Sequence, residues 1–240
     1  MSFKGSANPC LPFYLNPYAQ CMRLDAKKLG PKKLDPKKIA TLITTIEPRF
    51  MPVIDFAGLC PIGSKSARGG RGRKRVSNFY SLATSILSQQ LSTKAASTIT
   101  SRVNQSVGGI TPGAILKARS SQLRSAGVST AKVRALKELA EFDQGYSLSR
   151  LHQIGDDEEI FRRLLPIFGI GRWTIEMFLI FQLGREDIWP TGDLGVRRGW
   201  EKVHRLRKEI EPRTLAGKGD PFRPYRSHLA WYCWRATEMK

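Results

Sequence analysis

Asp193 is the acidic residue of this sequence whose position is best suited to chemistry. It stands in the turn "PTGDLG", where the pattern "DLGVRRGW" predicts the beginning of a helix. The positive end of the helix dipole favours the ionised form of a carboxylate at this point. Aspartate is also a common N-cap residue, so a purely structural role as a helix cap is an open alternative.

The stretch "FGIGRW" (residues 168–173) precedes Asp193 by one helix and a short loop. Its glycines, Gly169 and Gly171, permit positive φ and close backbone approach, while Ile170 can insert between the flanking helices. Free N–H groups at the beginning of the next helix suit a phosphate. A helix followed by a short loop reverses the chain, so we expect Asp193 to lie close to this hairpin. An ordinary glycine-capped helix corner would use the same residues.

Net charge is the strongest global property of the 240-residue chain. Forty Lys and Arg residues against twenty Asp and Glu give a formal charge of +20 and a pI near 10.3. This balance favours nucleic acid or an anionic membrane as partner, with a ribosome-like or solubilising role as the alternative. No apolar run approaches the roughly 20 residues of a membrane span, and no secretory signal is expected. Four scattered cysteines predict reduced thiols in an intracellular protein, without a zinc or iron–sulfur site.

Two basic tracts within the first 77 residues supply much of the excess charge. The tract at 27–38 alternates lysine pairs with prolines, which predicts an extended surface segment. The tract at 64–75 holds six basic residues and no acid, which predicts a flexible loop. That loop could lie on DNA phosphates, act as a nuclear-import signal, or be an idle solvated insertion. The predicted organisation is an irregular basic segment, 1–77, that packs on a core domain, 78–240.

Apolar residues at intervals of three and four predict helices along most of the chain from Asn78 onward. The letters "QQLS" (residues 89–92) interrupt this pattern and mark a junction between two helices. Thr111 and Pro112 predict a capped helix start, and Pro166 should shorten the helix before the hairpin. No alternating strand is visible after residue 78. The predicted fold is therefore mainly α, with one earlier helix over residues 36–46.

Four motifs follow one another along the chain: "LSQQLSTKAASTI", "FGIGRWTIEMFLIF", "DIWPTGDLGVRRG" and "FRPYRSHLAWYCWR". Together they resemble the helix-hairpin-helix DNA glycosylase superfamily, and most of all its 3-methyladenine DNA glycosylase II branch, over residues 78–240. The resemblance implies a two-lobed helical fold with the active-site cleft between the lobes. It also implies a monofunctional glycosylase that flips alkylated purines, of the 3-methyladenine and 7-methylguanine type, out of duplex DNA. Hydrolytic release of the base would then begin base excision repair.

The resemblance assigns the chemistry to Asp193 and the base pocket to its neighbours. As the catalytic carboxylate, Asp193 would stabilise the positive charge that develops on the sugar when the glycosidic bond breaks. Trp173 stands where lyase members of the superfamily carry a lysine nucleophile, so no Schiff base is expected. Trp173, Trp234 and Met177 would line the pocket, where aromatic faces attract a cationic alkylated base. Core packing is the alternative role for the two tryptophans.

The resemblance places a first set of DNA contacts in the stretch "QQLS". Gln90 would fill the gap that the everted base leaves in the duplex, with Leu91 beside it. Ser92 would touch the minor groove, and Gln89 would brace the loop. The alternative is that these residues only end a helix.

A second set of DNA contacts is implied at the hairpin. The backbone N–H groups of Gly169 and Gly171 would bind one phosphate without reading sequence. Arg197 and Arg198 could add phosphate contacts or simply be solvated. The assisting groups at the hairpin are two side chains, Arg172 and Thr174, and a monovalent cation at the carbonyls of Phe168 and Ile170.

The expected partner is damaged double-stranded DNA, bound by a monomer that uses no cofactor, no resident metal ion and no membrane. The expected location is the nucleus in a eukaryote, and otherwise the cytoplasm with the nucleoid. Two alternatives share the charge and the hairpin. One is a non-catalytic helix-hairpin-helix module that only binds DNA. The other is an oxidised-base glycosylase, whose lyase version is disfavoured by the missing lysine.

Overall fold

The regular secondary structure of the chain is helical throughout the residues that the computed structural model describes, 34–63 and 76–239. The predicted mainly α fold is confirmed, and no strand occurs within these two ranges. The described residues from Asp35 onward form one compact unit. The tract at 64–75 and most of the tract at 27–38 lie outside the described residues. The division at residue 77 and the two-lobed arrangement stay predictions.

Twelve α-helices account for most of the described chain. Their bounds are α1 Pro36–Ile46, α2 Met51–Ala57, α3 Asn78–Ser88, α4 Thr93–Val107, α5 Pro112–Lys117, α6 Ser120–Ser125, α7 Thr130–Gly145, α8 Asp157–Leu164, α9 Arg172–Met177, α10 Leu194–His204, α11 Pro212–Lys218 and α12 Arg226–Glu238. The other helical segments are three 3-10 turns, Pro48–Phe50, Leu148–Gln153 and Asp220–Phe222, and one π-helix, Phe178–Leu183.

Several helices begin and end where the sequence predicts. The Thr111 hydroxyl accepts the Ala114 N–H, and Pro112 is the first residue of α5. Ser92 caps α4 in the same way, so "QQLS" is a junction between two helices, α3 and α4. The helix before the hairpin, α8, ends at Leu164, because Pro166 cannot donate the backbone hydrogen bond that would continue it.

The first described helix, α1, has the predicted bounds, 36–46. It begins with Pro36 at a position where a missing N–H leaves no hydrogen bond unmade. Lys37 and Lys38 therefore lie in a helical turn, and the prediction of an extended segment was wrong for these two residues. The short helix α2, which the sequence analysis does not identify, packs against α12. Phe50, immediately before α2, is fully buried, with its ring centroid 6.0 Å from that of Trp200 in α10.

A hydrogen-bonded link also joins the residues after α2 to the last helix. The Tyr232 hydroxyl accepts the Cys60 N–H and donates to the Gly58 carbonyl, with both distances 3.3 Å. Tyr232 is fully buried, and burial raises its pKa to about 12. The phenol therefore keeps the proton that the second hydrogen bond needs.

The glycine hairpin (residues 168–171) connects α8 to α9, and α9 continues directly into the π-helix. Ile170 is buried, as expected of a residue inserted between helices. The sequence predicts one central apolar helix after the hairpin. The structure divides that helix into α9 and a π-helix with a wider turn, which buries Phe178 and Ile180 and leaves Phe181 exposed.

Candidate active site

Asp193 is the N-cap residue of α10, and three hydrogen-bond donors hold its carboxylate. Oδ1 accepts the Val196 N–H and the Trp234 Nε1–H, each at 2.8 Å. Oδ2 accepts the Trp173 Nε1–H at 2.6 Å. The residue is only 9% exposed. The N-cap role, which the sequence leaves open as an alternative, is therefore observed, and the same carboxylate also binds the indoles of Trp173 and Trp234.

Three elements bring these groups together. Trp173 lies in the first turn of α9, Asp193 follows the loop after the π-helix, and Trp234 lies in α12. Gly195 in α10 leaves the space that Trp234 occupies, because a Cβ at that position would lie 2.7 Å from Trp234 Cδ1. Without a side chain at Gly195, the indole can reach Asp193.

Large apolar side chains at this site remain partly open to solvent. Trp173 is 48% exposed, and Leu194, directly after Asp193, is also exposed. Phe181 is 55% exposed, and its ring centroid lies 5.5 Å from that of Trp234. Met177 is half-buried, one helical turn beyond Trp173. The surface beside the carboxylate therefore offers aromatic faces to a planar ligand.

Phe181 is a site residue that the sequence analysis does not identify. Its separation of eight residues from Trp173 was the available signal, since two helical turns return a side chain to nearly the same side. The π-helix, with more residues per turn, brings Phe181 still closer to that side. A local departure from α-helix could not be deduced from the apolar pattern.

Besides Asp193, the site has a second buried carboxyl group, that of Glu176 in α9. The sequence analysis does not identify Glu176 either. Its Oε1 accepts a hydrogen bond from Arg172 Nε at 3.2 Å. Burial raises the pKa of Glu176 to about 7, and the charge of Asp193 adds to that rise, while Arg172 opposes it. Glu176 is therefore more readily protonated than an exposed glutamate.

The glycine hairpin presents backbone donors at the beginning of α9. Gly169 has a φ of +80°, in the region that favours glycine, and a Cβ there would lie 2.8 Å from that of Ala135. Among the described residues, the N–H groups of Gly169 and Gly171 have no hydrogen-bond acceptor. Thr174 is buried, so its side chain is not available to a ligand. The Phe168 N–H is occupied, since it donates to Glu138 Oε2 at 2.8 Å.

The turn between α3 and α4 (residues 89–92) lies against this hairpin. Gln89 Nε2 donates to the Gly169 carbonyl at 2.9 Å, which is the bracing contact that the sequence analysis expects. Gln90 is exposed and has a φ of +57°, which is uncommon for a residue with a side chain. Leu91 is exposed beside it, and the Ser92 hydroxyl accepts the Ala95 N–H as the cap of α4.

The arginines that the sequence analysis considers for phosphate binding differ in their surroundings. Arg172 is held by Glu176 and lies over the Phe161 ring, with Cζ 4.5 Å from the ring centroid. Arg198 forms ion pairs with Glu201 and Glu209, so its charge is largely compensated. Arg197 is half-buried and makes no ion pair within the described part of the chain.

Two other kinds of site, a metal centre and a membrane span, have no candidate among the described residues. No group of three or more His, Cys, Asp or Glu side chains among them could hold a metal ion. None of their helices combines the length and apolar character of a membrane span.

The hairpin, the carboxylate at the beginning of α10 and the helical fold of the described residues are together the features of a helix-hairpin-helix protein. Residues 83–221 match the family described as "HhH-GPD superfamily base excision DNA repair protein", and the chain belongs to this superfamily. The predicted superfamily is thereby confirmed.

Individual relatives are named as 3-methyladenine glycosylases. DNA-3-methyladenine glycosylase 1 of Schizosaccharomyces pombe is 32% identical over 177 residues, which cover 72% of this chain and 78% of that protein. The structure of the S. pombe 3-methyladenine DNA glycosylase with abasic DNA has a TM-score of 0.71 and 29% identity, covering 84% of this chain and 97% of that one. A DNA-3-methyladenine glycosidase of Bacillus halodurans has a TM-score of 0.70 and 31% identity, covering 82% and 88%.

Proposed function

We propose that this protein is a monofunctional DNA glycosylase that everts alkylated purines, of the 3-methyladenine and 7-methylguanine type, from duplex DNA and hydrolyses their N-glycosidic bonds. The observation that carries this proposal is the buried carboxylate of Asp193 between the indoles of Trp173 and Trp234. The names of the relatives support the same class of substrate.

Asp193 acts on the sugar of the everted nucleotide. When the bond between C1′ and the base nitrogen breaks, its electron pair goes to the base and positive charge develops on the sugar. The anionic carboxylate stabilises that charge in a site with little water. A water molecule then forms the new bond to C1′ and releases a proton, leaving an abasic site and a free base.

The tryptophans give the site its preference for alkylated bases. A purine alkylated on a ring nitrogen carries positive charge and is attracted to the faces of Trp173 and Trp234. Such a base leaves as a neutral molecule, which reduces the need for a general acid. Met177 and Phe181 complete the apolar surface of the pocket. With Trp173 at the position of the lyase lysine, the reaction ends at hydrolysis.

Binding of the duplex uses the hairpin and the turn before α4. The N–H groups of Gly169 and Gly171 bind a backbone phosphate, and a monovalent cation at the carbonyls of Phe168 and Ile170 assists them. Gln90 enters the gap in the base stack, flanked by Leu91 and Ser92. Arg172 and Thr174 contribute to phosphate binding mainly through their backbone N–H groups. The Arg172 side chain is paired with Glu176, and the Thr174 side chain is buried.

The working unit is a monomer on damaged double-stranded DNA. It acts in the nucleus of a eukaryotic cell, or at the nucleoid of a bacterial one. Sedimentation of the protein with one lesion-containing duplex would measure the stoichiometry, and a complex of two protein chains per lesion would contradict the monomer.

The Asp193→Asn substitution tests the catalytic assignment. Asparagine is as good an N-cap as aspartate, so α10 should keep its beginning while the negative charge is lost. We expect base release from methylated duplex to fall by about 10²-fold or more, with DNA affinity retained. Release is measured by single-turnover formation of abasic sites. Asp55→Asn, at an exposed position of α2, is the matched control and should leave the rate unchanged.

The outcomes separate the competing functions. An unchanged rate in Asp193→Asn would remove this carboxylate from the reaction. A wild-type protein that binds duplex DNA but releases no methylated base would be a DNA-binding module. Release of 8-oxoguanine in preference to methylated purines would identify an oxidised-base glycosylase.

A further inference from the structure

Lys132, in the first turn of α7, binds the end of another helix. Its Nζ donates to the Leu87 carbonyl at 2.8 Å and to the Gln89 carbonyl at 2.7 Å. These carbonyls lie at the end of α3, where helix geometry leaves backbone acceptors without partners. A cation at that end also complements the helix dipole. Lys132 therefore fixes the point at which the chain leaves α3 and enters the turn at 89–92.

The same helix, α7, supports the glycine hairpin. Ala135 packs against Gly169 so closely that a side chain on the glycine would not fit. One turn further on, Glu138 accepts the Phe168 N–H at 2.8 Å and pairs with Arg134 at 2.7 Å. These two bonds lower the pKa of Glu138, with the Arg134 bond the larger cause, so the acceptor stays ionised. One face of α7 thus contacts both proposed DNA-binding elements.

Gln89 connects the turn at 89–92 to both α7 and the glycine hairpin. The backbone carbonyl of Gln89 accepts from Lys132, while the side chain of the same residue donates to the Gly169 carbonyl. The next residue, Gln90, is held at positive φ, a conformation that persists only where the surroundings impose it. The turn is therefore attached to the hairpin on one side and to α7 on the other.

We propose that Lys132 is a positioning residue for base eversion, because its ammonium group fixes the turn that carries Gln90 at a set distance from the phosphate-binding hairpin. Filling the gap in the stack and binding the phosphate must occur together on one strand, so this distance determines whether the everted state is stabilised. The inference rests on the proposed glycosylase function. Lys132 itself touches neither the base nor the reacting sugar.

Lys137 provides a matched control on the same helix. Its Nζ donates to the Leu116 and Ala118 carbonyls, at 2.8 and 2.6 Å, and so binds the end of α5 as Lys132 binds the end of α3. Lys132→Met and Lys137→Met therefore remove equivalent pairs of bonds. Only the first pair belongs to the turn that carries Gln90.

The test compares two substrates that carry the same 7-methylguanine. In one duplex the lesion is paired with cytosine, and in the other it lies opposite an abasic site, where the base is already partly unstacked. We expect Lys132→Met, which removes two hydrogen bonds to a charged group, to lower single-turnover release from the paired duplex by about tenfold or more. Release from the unpaired context should change little. Lys137→Met should lower both rates equally or not at all, and Lys132→Arg should restore part of the difference.

Equal loss on both substrates in a folded Lys132→Met protein would overturn the positioning role and leave the glycosylase proposal intact. Failure of the wild-type protein to release base from either substrate would overturn the proposed function, and the role of Lys132 with it. If Lys132→Met does not fold, Lys132→Gln keeps one donor, and an unchanged ratio of the two rates in that variant would equally contradict the proposal.

Discussion

The hydrogen-bond donors around Asp193 stabilise the negative charge of a carboxylate that is almost completely buried. A carboxylate that is almost removed from water loses its hydration, and hydrogen bonds to its anionic form can replace that hydration. Here the donors are one backbone N–H and two indole N–H groups. Because an indole also offers an aromatic face, the groups that hold the anion in place are the same groups that form the wall of the proposed pocket.

The Gly195→Ala substitution tests this coupling. A methyl group at that position would lie 2.7 Å from Trp234 Cδ1 and 3.1 Å from Asp193 Oδ1, so the indole has to move. We expect base release to fall by about 10- to 100-fold, as one hydrogen bond to a charged group is weakened. Gly192→Ala, where a new Cβ meets nothing within 4 Å, is the control for single-turnover assays. Equal activity of the two variants would show that the indole position does not matter.

At the residue scale, the sequence identifies groups that belong to short motifs. Asp193 and the hairpin glycines stand out by their spacing, whereas the roles of Trp173 and Gln89 are implied by the resemblance of the motifs to the glycosylase superfamily. The roles of Lys132 and Glu138 could not be predicted from the sequence. A lysine or glutamate on a helix surface is common, and its role becomes visible only when the fold shows its distant hydrogen-bond partner. Their acceptors and donors lie 30 to 45 residues away in the chain.

At the scale of elements, α10 and α12 pack directly against each other beside the site. A Cβ on Gly199 would lie 1.9 Å from the Cys233 carbonyl oxygen, so the backbones of the two helices touch there. This contact determines how α12 carries Trp234 toward Asp193. Close packing of this kind tolerates no added atom without movement of a whole helix.

The Gly199→Ala substitution should therefore destabilise the fold by about 2 kcal/mol or more, as overpacking forces the backbone to shift. Urea denaturation followed by circular dichroism measures the change. Gly217→Ala in α11 is the control, because no atom lies within 4 Å of its new Cβ. In that variant alanine should stabilise the helix by up to about 1 kcal/mol. A Gly199→Ala protein as stable as wild type would contradict the close contact.

The sequence predicts elements well where a single physical signal decides them. Apolar spacing indicates α4, and the capping residue Thr111 with Pro112 indicates α5. The seven residues of α2 give too short a pattern, and their helical state depends on packing against α12. The π-helix is likewise invisible in the apolar spacing, because its extra residue per turn is a property of the folded helix.

At the scale of the whole molecule, charge is distributed unevenly. Many arginines of the described helices are paired with carboxylates, as in Arg226–Asp187 and Arg163–Glu159, both at 2.6 Å. The tract at 64–75, by contrast, has six basic residues and no acidic neighbour within it. Its contribution to DNA binding is a prediction from composition alone.

Replacing the six basic residues of this tract by serine tests that contribution. Each cation bound to a phosphate adds nearly one to the slope of log affinity against log salt, so the slope should fall by up to about 5. The measurement is a salt titration of binding to undamaged duplex by fluorescence anisotropy. Six serine replacements keep the length of the tract, which separates charge from chain length. An unchanged slope would mean that the tract does not bind DNA.

The bond between Tyr232 and the backbone at Gly58 and Cys60 spans more than 170 residues of chain. During synthesis, the segment that follows α2 leaves the ribosome long before its partner exists. The nascent protein must carry that segment with its polar groups unsatisfied, or screened by water or a chaperone, until Tyr232 has been translated. This part of the core can therefore be completed only after translation has passed α12.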